Sequence, residues 1–471
     1  MRILLVGGGA REHALGEAIH SAPAELVVVS PTENPGLAVI AEHAYRAPLT
    51  DAAAILKVAQ TRAVDLAVLG PEAPIAAGVA DVLRGGGIPV VGPSRAAARI
   101  ESSKRFCREL LARHSIDASP RWRGATTPDE LGRAIAEVGS PFVVKPVSLT
   151  SGKGVLVQGS DFATAEEGAR LARRMLSAEG GERGGLLVEE KLEGEEFSLM
   201  AFVSDGTLYP MPLVQDYKRA LEGGQGPNTG GMGSYSQRDH LLPFLSELQY
   251  EAALATMRAV VKAMVADDLD YRGVLYGGFM LTASGPKLLE FNARFGDPES
   301  LNALTLLERG NFATLLSDIA HGRRPGSPPS FRLRASVVKY AVPVGYGGSP
   351  QVGALVGYDP VAIERAGVRL YFGAVEAAGP DRVRFSSSRG LALVGEASAI
   401  WEAGTRVEEA LKALNGPFYA RHDIASREDL TARVEHMRQL LSPGAKASPL
   451  PLSVAAPTAP AASHAKVGQL I

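Results

Sequence analysis

The residues best equipped for chemistry sit in one stretch, Lys287-Leu-Leu-Glu-Phe-Asn-Ala-Arg-Phe-Gly-Asp-Pro-Glu299. It begins as an apolar strand, and Glu290 and Asn292 are two apart. On a strand both point to one face and Phe291 to the other. A carboxylate and an amide oxygen on one face are hard ligands, of the kind Mg²⁺ takes when phosphates and waters supply the rest. Arg294 follows, with a planar guanidinium suited to a two-pronged grip on phosphate or carboxylate. Gly296-Asp-Pro-Glu299 then makes a turn carrying two more acids. Glu-x-Asn alone reads equally well as a strand ending in a polar turn. The crowding of charges favours a site, because unpaired charges at a strand end need partners.

Four further stretches carry candidate groups. Strand Phe142–Lys145 leads into Pro146-Val-Ser-Leu-Thr-Ser-Gly-Lys-Gly154 and then a second strand, Val155–Gln158. This is a loop between strands, unlike a Walker loop, which joins strand to helix. Lys145, Lys153 and a hydroxyl-rich loop with Gly152 and Gly154 suit a triphosphate, since ammonium groups offset charge and glycines let the backbone approach. A surface hairpin is the plain alternative. Leu186–Glu190 runs through a link at Leu192 to Phe197–Val203. Such a crossover can offer backbone groups to an adenine edge, with Glu189 and Glu196 flanking it; a solvated acidic turn is the plain reading. Gln215-Asp-Tyr-Lys-Arg219 precedes the loop Gly223–Gly233. Asp216 and Lys218 can take an amino group and a phosphate, while the glycines imply close backbone approach or a moving lid. At the start, strand Arg2–Val6, the loop Gly7-Gly-Gly-Ala-Arg-Glu-His13 and a helix through Ile19 form the opening of a doubly wound α/β domain. Arg11 and His13 add charge suited to a single phosphate.

The elements that must hold these groups follow in order. Strands at 25–29, 65–69 and 88–91 alternate with helices at 51–59 and from Gly70-Pro-Glu-Ala-Pro74 to Arg84, which predicts a parallel sheet with ligands at its carboxyl ends. Glu72 lies at such an end, where helix capping is an equal reading. One helix is predicted over 96–113 and another over 249–265. Strand Gly273–Leu281 pairs antiparallel with the opening stretch through the Ser284-Gly285 turn, and a helix covers 302–321. After Pro325-Gly-Ser-Pro-Pro329, short strands at 335–342, 369–372, 382–386 and 391–395 and a helix at 406–414 form a small α/β module. Its own residues offer no chemistry. Past Leu441 the chain turns to Pro and Ala without periodicity, and a disordered tail is expected from Ser442.

A chain of 471 residues is too long for one core, and about two to four domains are expected. Hydrophobic content of 46%, charged content of 21% and a net charge of -2 fit an ordinary globular enzyme, with no bulk attraction to nucleic acid or membrane. One cysteine, Cys107, excludes an intramolecular disulfide and any multi-cysteine metal site, fits a cytoplasmic location, and reads as packing in its helix. No run approaches the ~20 apolar residues of a membrane span. The start lacks the apolar region and cleavage site of a signal peptide.

With the motifs in order, the chain resembles the ATP-grasp ligases, and among them the phosphoribosylamine–glycine ligase (glycinamide ribonucleotide synthetase) family. The resemblance covers about residues 1 to 435. It rests on Gly7–Leu15, Gly70–Pro74, Ser102-Ser-Lys104, Gln215–Arg219, Gly226-Pro-Asn-Thr-Gly-Gly-Met-Gly233 and Glu290–Glu299. It implies an α/β fold of ATP-grasp architecture: a doubly wound sugar-phosphate domain over 1–100, a grasp domain over 101–330 with a lid subdomain at 120–200, and the small module over 331–441. It implies that ATP, glycine and phosphoribosylamine react through glycyl phosphate to give glycinamide ribonucleotide, ADP and phosphate, in purine biosynthesis. Carried onto matching positions, Lys104, Lys145, Gly152, Lys153, Gly154, Glu189, Leu192 and Glu196 would hold ATP. Glu290 and Asn292 would hold Mg²⁺ or Mn²⁺, and Arg294 would stabilise the glycyl phosphate. Gly8, Gly9, Arg11 and Glu12 would cradle the sugar phosphate, with Glu72, Lys218, Asn228, Gly230 and Gly231 on the substrate side. Asp216, Asp297 and Glu299 are candidates for glycine's ammonium and the ribose hydroxyls, unsorted among themselves. A monomer acting on small molecules is expected.

The chain departs from the bacterial pattern at Pro146–Gly154, and Lys339-Tyr-Ala-Val-Pro343 also looks closer to archaeal-type members. Ser30-Pro-Thr-Glu-Asn-Pro-Gly36 differs from the usual small-residue loop. Strand Gly273–Leu281 lacks the extra acid many ATP-grasp relatives carry, so two protein metal ligands are expected. The competing readings are a carboxylating ligase or biotin carboxylase of the same fold, a dinucleotide-dependent dehydrogenase, and an inactive nucleotide-binding regulator. The first lacks Asn228–Gly233 with Gln215-Asp216. The second requires an acid where Val29-Ser30 ends the strand. The third is disfavoured by the retained Lys145, Lys153, Glu290, Asn292 and Arg294.

Overall fold

The computed structural model describes residues 1–148, 154–178 and 185–441. The expected ATP loop residues Gly152 and Lys153, and the tail from Ser442, lie outside these. The apolar run Arg2–Val6 forms the centre of a five-stranded parallel sheet, flanked by Glu25–Ser30 on one side and Leu66–Leu69 on the other. Chain order reverses at this central strand. The loops leaving Val6 and Leu69 therefore open a crevice at the sheet's carboxyl edge, where open α/β sheets take ligands.

Two antiparallel sheets follow. The first orders Trp122–Ala125, Leu186–Glu190, Phe142–Pro146 and Leu156–Val157. It has its own core, in which Phe142, Val144, Phe162, Leu176, Leu186 and Val188 meet. The second joins Thr207–Pro210, Glu195–Ser204, Gly273–Thr282 and Gly285–Asn292. The link Lys191–Gly194 connects the two sheets, so the groups it flanks sit at their junction. The predicted pairing through Ser284-Gly285 is present, with Tyr276 opposite Asn292 and Gly278 opposite Glu290.

A third sheet orders Gln215–Asp216, Gly233–Ser236, Ala335–Ala341, Leu391–Ala397 and Val368–Phe372. Strands on both sides of residue 331 thus share one sheet.

Three predicted helices are broken. The one over 96–113 stops at Ser102 and restarts at Lys104, because Ser103 is extended (φ -139°, ψ 101°) and caps the second helix. Its hydroxyl accepts the Phe106 N–H at 3.2 Å. The helix to Arg84 breaks at Gly78, whose φ of 80° is left-handed. The helix over 302–321 becomes Glu299–Leu306 and Phe312–Ala320, because Leu307 turns extended and the Glu308 N–H pairs with the Ser330 carbonyl at 2.9 Å. The last module helix spans Ile400–Leu411 rather than 406–414, and a further helix, Arg427–Leu441, follows it. Cys107 is buried, which pushes its thiol up to about 11 and fits the packing reading. Among the described residues no helix is long and apolar enough to cross a membrane.

Candidate functional site

Strand Gly285–Asn292 sends Phe291 into the core and leaves Glu290 exposed on the opposite face, while Asn292, on the same face as Glu290, is buried. Among the described residues Glu290 has no ion-pair partner. The Asn292 amide oxygen accepts from Arg294 Nη2 at 3.0 Å, and its second lone pair remains for another donor or a cation. An open carboxylate beside an amide oxygen fits a hard divalent ion whose remaining ligands are water and phosphate. Among the described residues no cluster of three or more metal-ligating side chains occurs.

Arg294 is the hub behind this pair. Its Nε lies 3.5 Å from Glu72 and 3.4 Å from Glu101, yet forms no hydrogen bond with either. Burial opposes its charge, but Glu101 and Glu72 outweigh burial and hold the guanidinium ionised. Glu101 is sealed in; burial pushes its carboxyl up against the pull of Arg294, and it accepts the Ala293 N–H at 2.8 Å. The sequence reading missed Glu101, a lone acid in a short helix with no spacing signal. Glu72 is half-exposed. Burial raises its carboxyl, but Arg294, Arg11 and Arg389 together lower it, so three arginines converge on this acid.

The first glycine loop meets the same place. Glu12 accepts the Gly9 N–H at 2.7 Å and Arg11 Nε at 2.6 Å. A side chain on Gly70 would sit 2.3 Å from Glu12 Oε1, so glycine there makes room for this carboxylate. Arg11 also donates to the Phe295 carbonyl at 2.9 Å, tying loop to turn. Gly8 is held by Asn34, which donates to its carbonyl at 2.9 Å and to that of Phe372 at 2.7 Å. The divergent Ser30–Gly36 loop is thus a clasp onto the C-terminal module. His13 supplies no charge: burial lowers it to about 4, and its Nδ1 accepts the Phe372 N–H at 3.1 Å. The single-phosphate reading of His13 is corrected accordingly.

On the other side of the metal pair are the cations. Lys145 Nζ lies 2.7 Å from Glu189, and Arg108 Nε 2.8 Å from its other oxygen. Glu189 is buried; burial would raise it, but these two cations bring it down to about 2. Its carboxylate is committed to them. Arg108, also absent from the sequence reading, is buried with Nη1 unpartnered among the described residues. Lys104 reaches the Ser148 carbonyl at 3.2 Å; burial, then repulsion from Lys145, lowers its ammonium while Glu290 opposes. Leu192 is half-buried in the link, and Gly154 is exposed.

The remaining acids gather opposite. Glu196 pairs with Lys218. Asp216 is half-buried. Burial pushes its carboxyl up to about 7, with Glu299 and Glu196 adding repulsion and Lys218 opposing. Glu299 accepts from Tyr276 Oη at 2.7 Å, which itself meets Ser198 Oγ at 2.7 Å. Asp297 takes Tyr340 Oη at 2.6 Å and Arg389 Nη2 at 3.0 Å. The C-terminal module therefore does bring charged groups to the site, against the expectation that it offered none. Asn228 and Gly230 are exposed, whereas Gly231 is buried.

The groups run from lysines at one end, through an open carboxylate beside a buried amide, to arginines and paired acids at the other. They can hold polyphosphate, a cation, a carboxylate and an amine together without a protein nucleophile. Residues 1–101 match the N-domain model of phosphoribosylglycinamide synthetase, and residues 102–300 match its ATP-grasp (A) domain model. The phosphoribosylamine–glycine ligase of Pyrococcus horikoshii is 41% identical over 93% of this chain and 98% of its own. That of Methanoregula boonei is 42% identical over 93% of this chain and 100% of its own. Both are archaeal, in keeping with the Pro146–Gly154 loop. The crystal structure of the Thermotoga maritima phosphoribosylamine–glycine ligase superposes with a TM-score of 0.75 at 28% identity, over 90% of this chain and all of that one. A Hydrogenobacter thermophilus biotin carboxylase domain, solved with MgADP and bicarbonate, reaches 0.68 at 16% identity over 93% of each chain, a likeness of fold alone.

Proposed function

This chain belongs to the phosphoribosylamine–glycine ligase family, and from that premise we infer how its cleft divides among three substrates. The family's reaction is ATP-dependent ligation of glycine to phosphoribosylamine in purine biosynthesis. The observation that carries the division is the run from Glu290 to Glu299, whose successive side chains face different partners. ATP lies toward Lys104 and Lys145, with Glu189 fixing Lys145 rather than touching nucleotide through its carboxylate. Glu196 and the Leu192 link take ribose and base, and Gly152, Lys153 and Gly154 serve the phosphates, as the resemblance implies.

Glu290 and Asn292 hold the divalent cation, Mg²⁺ or Mn²⁺, which offsets phosphate charge when bound. Glycine's carboxylate attacks the γ-phosphorus and ADP leaves. Arg294 turns the exposed part of its guanidinium toward the resulting acyl phosphate. Its acids Glu72 and Glu101 hold the guanidinium in place. The phosphoribosylamine nitrogen then attacks the acyl carbon and phosphate leaves. Gly8, Gly9 and Arg11 hold the sugar phosphate, and Glu12 props the loop. Asp216 takes glycine's ammonium, while Asp297 and Glu299 face the acceptor with Asn228, Gly230 and Gly231. The enzyme works as a monomer in the cytoplasm.

The chemistry is tested with glycine labelled by ¹⁸O in its carboxylate. An acyl phosphate route moves one labelled oxygen into the released phosphate. Unlabelled phosphate with labelled product would contradict it.

A further inference from the structure

Arg389 comes from the loop before strand Leu391–Ala397, yet most of its contacts lie elsewhere. Its Nη1 donates to the carbonyls of Gly230 at 2.5 Å and Asp297 at 2.8 Å, with a longer approach to Gly231 at 3.4 Å. Its Nη2 meets the Asp297 carboxylate at 3.0 Å, and its guanidinium lies 4.7 Å from the Tyr340 ring centre. Tyr340 holds the other Asp297 oxygen. One half-buried cation thus binds the end of the glycine-rich loop and the turn of the metal strand, two segments that share no other polar contact among the described residues. They also touch directly: Gly231 has a φ of 105°, and a side chain there would lie 2.6 Å from the Pro298 ring. Upstream, Gln225–Asn228 is exposed along its length.

We propose that Arg389 is a positioning residue that latches the Gln225–Gly231 loop onto the Asp297–Glu299 turn and so keeps the acyl phosphate from water until the acceptor amine takes it. The proposal rests on the reading above that this turn lines the acceptor side. Arg389 spends its donors on protein oxygens, so it acts through Asp297 and the loop rather than on a substrate. An acyl phosphate exposed to water hydrolyses, which makes closure a requirement of this chemistry.

The test is the ratio of ADP released to glycinamide ribonucleotide formed, with the KM of each substrate, in Arg389→Met, Arg389→Lys and Tyr340→Phe. The latch predicts glycine-dependent ADP release in excess of product, a phosphoribosylamine KM raised about tenfold and an unchanged ATP KM. Arg389→Lys and Tyr340→Phe should move the same way by less, and they decide the matter if Arg389→Met does not fold. A coupling ratio that stays at one while kcat alone falls overturns the latch. Asp297→Asn separates the two claims. Normal coupling and acceptor KM in Asp297→Asn, with both disturbed in Arg389→Met, would sink the acceptor-side reading and keep the latch. The converse pattern overturns the latch.

Discussion

Asp216 sits in an environment far from that of water. Its carboxyl titrates at about 7 because burial and the nearby Glu299 and Glu196 outweigh Lys218. To hold glycine's ammonium it must be ionised, so kcat/KM for glycine should rise as pH increases through about 7. Asp216→Asn should flatten that limb and lower the plateau, whereas an unchanged limb would assign it to another group. The sign for stability is opposite. The folded state holds this proton between about 3.8 and 7 while the unfolded state has lost it, so this group's contribution falls as pH rises through that window. Glu290 and Asn292 were legible because a strand's period puts them on one face whatever surrounds it. Glu101, Arg108 and Arg389 were not, because each meets its partner across a large sequence separation. The Arg389 contact to Asp297 spans 92 residues and the Arg108 contact to Glu189 spans 81. No local spacing encodes such pairs.

Elements with strong periodicity were read well, and their interruptions were not. The parallel sheet of the first domain and the Gly273–Asn292 hairpin follow from runs of apolar residues. Ser103 and Leu307 turn extended where tertiary hydrogen bonds pull them from helix, and propensity does not register that pull. The docking of helix Ala10–His20 against strand Val368–Phe372 gives an element-scale prediction. His13 is buried between them and titrates near 4 instead of 6.5, because burial disfavours its charged form. The unfolded chain binds this proton between those values and the folded chain does not, so stability falls as pH drops from 6.5 to 4. One such group contributes a slope of up to about 1.4 kcal/mol per pH unit. Urea unfolding at pH 7 and pH 5 should show the loss, and His13→Gln should reduce the pH-dependent part. An equal pH dependence in both proteins would remove His13 from the account.

At the scale of the molecule, the cleft exists because three regions are tied across it. Arg11 joins the first domain to the Phe295 turn, Asn34 joins it to Phe372, and Arg389 joins the C-terminal module to Asp297. A fourth tie lies behind the site. Arg433 and His436 on the last helix grip Glu195 at 2.8 and 2.7 Å, next to Glu196 on the strand that pairs with Lys218. Motif order along the chain carried the resemblance, and with it the family and the reaction. The ties were invisible to it, since each joins residues far apart in the chain, 284, 338 and 92 positions for Arg11, Asn34 and Arg389. The central claim is that this cleft couples ATP cleavage to joining an amino-acid carboxylate with a sugar-phosphate amine. The most direct measurement is ADP release by the whole chain with Mg²⁺ and ATP, with phosphoribosylamine generated in situ. The account predicts release that requires glycine and matches glycinamide ribonucleotide one for one. Release driven by bicarbonate in the absence of glycine would contradict it.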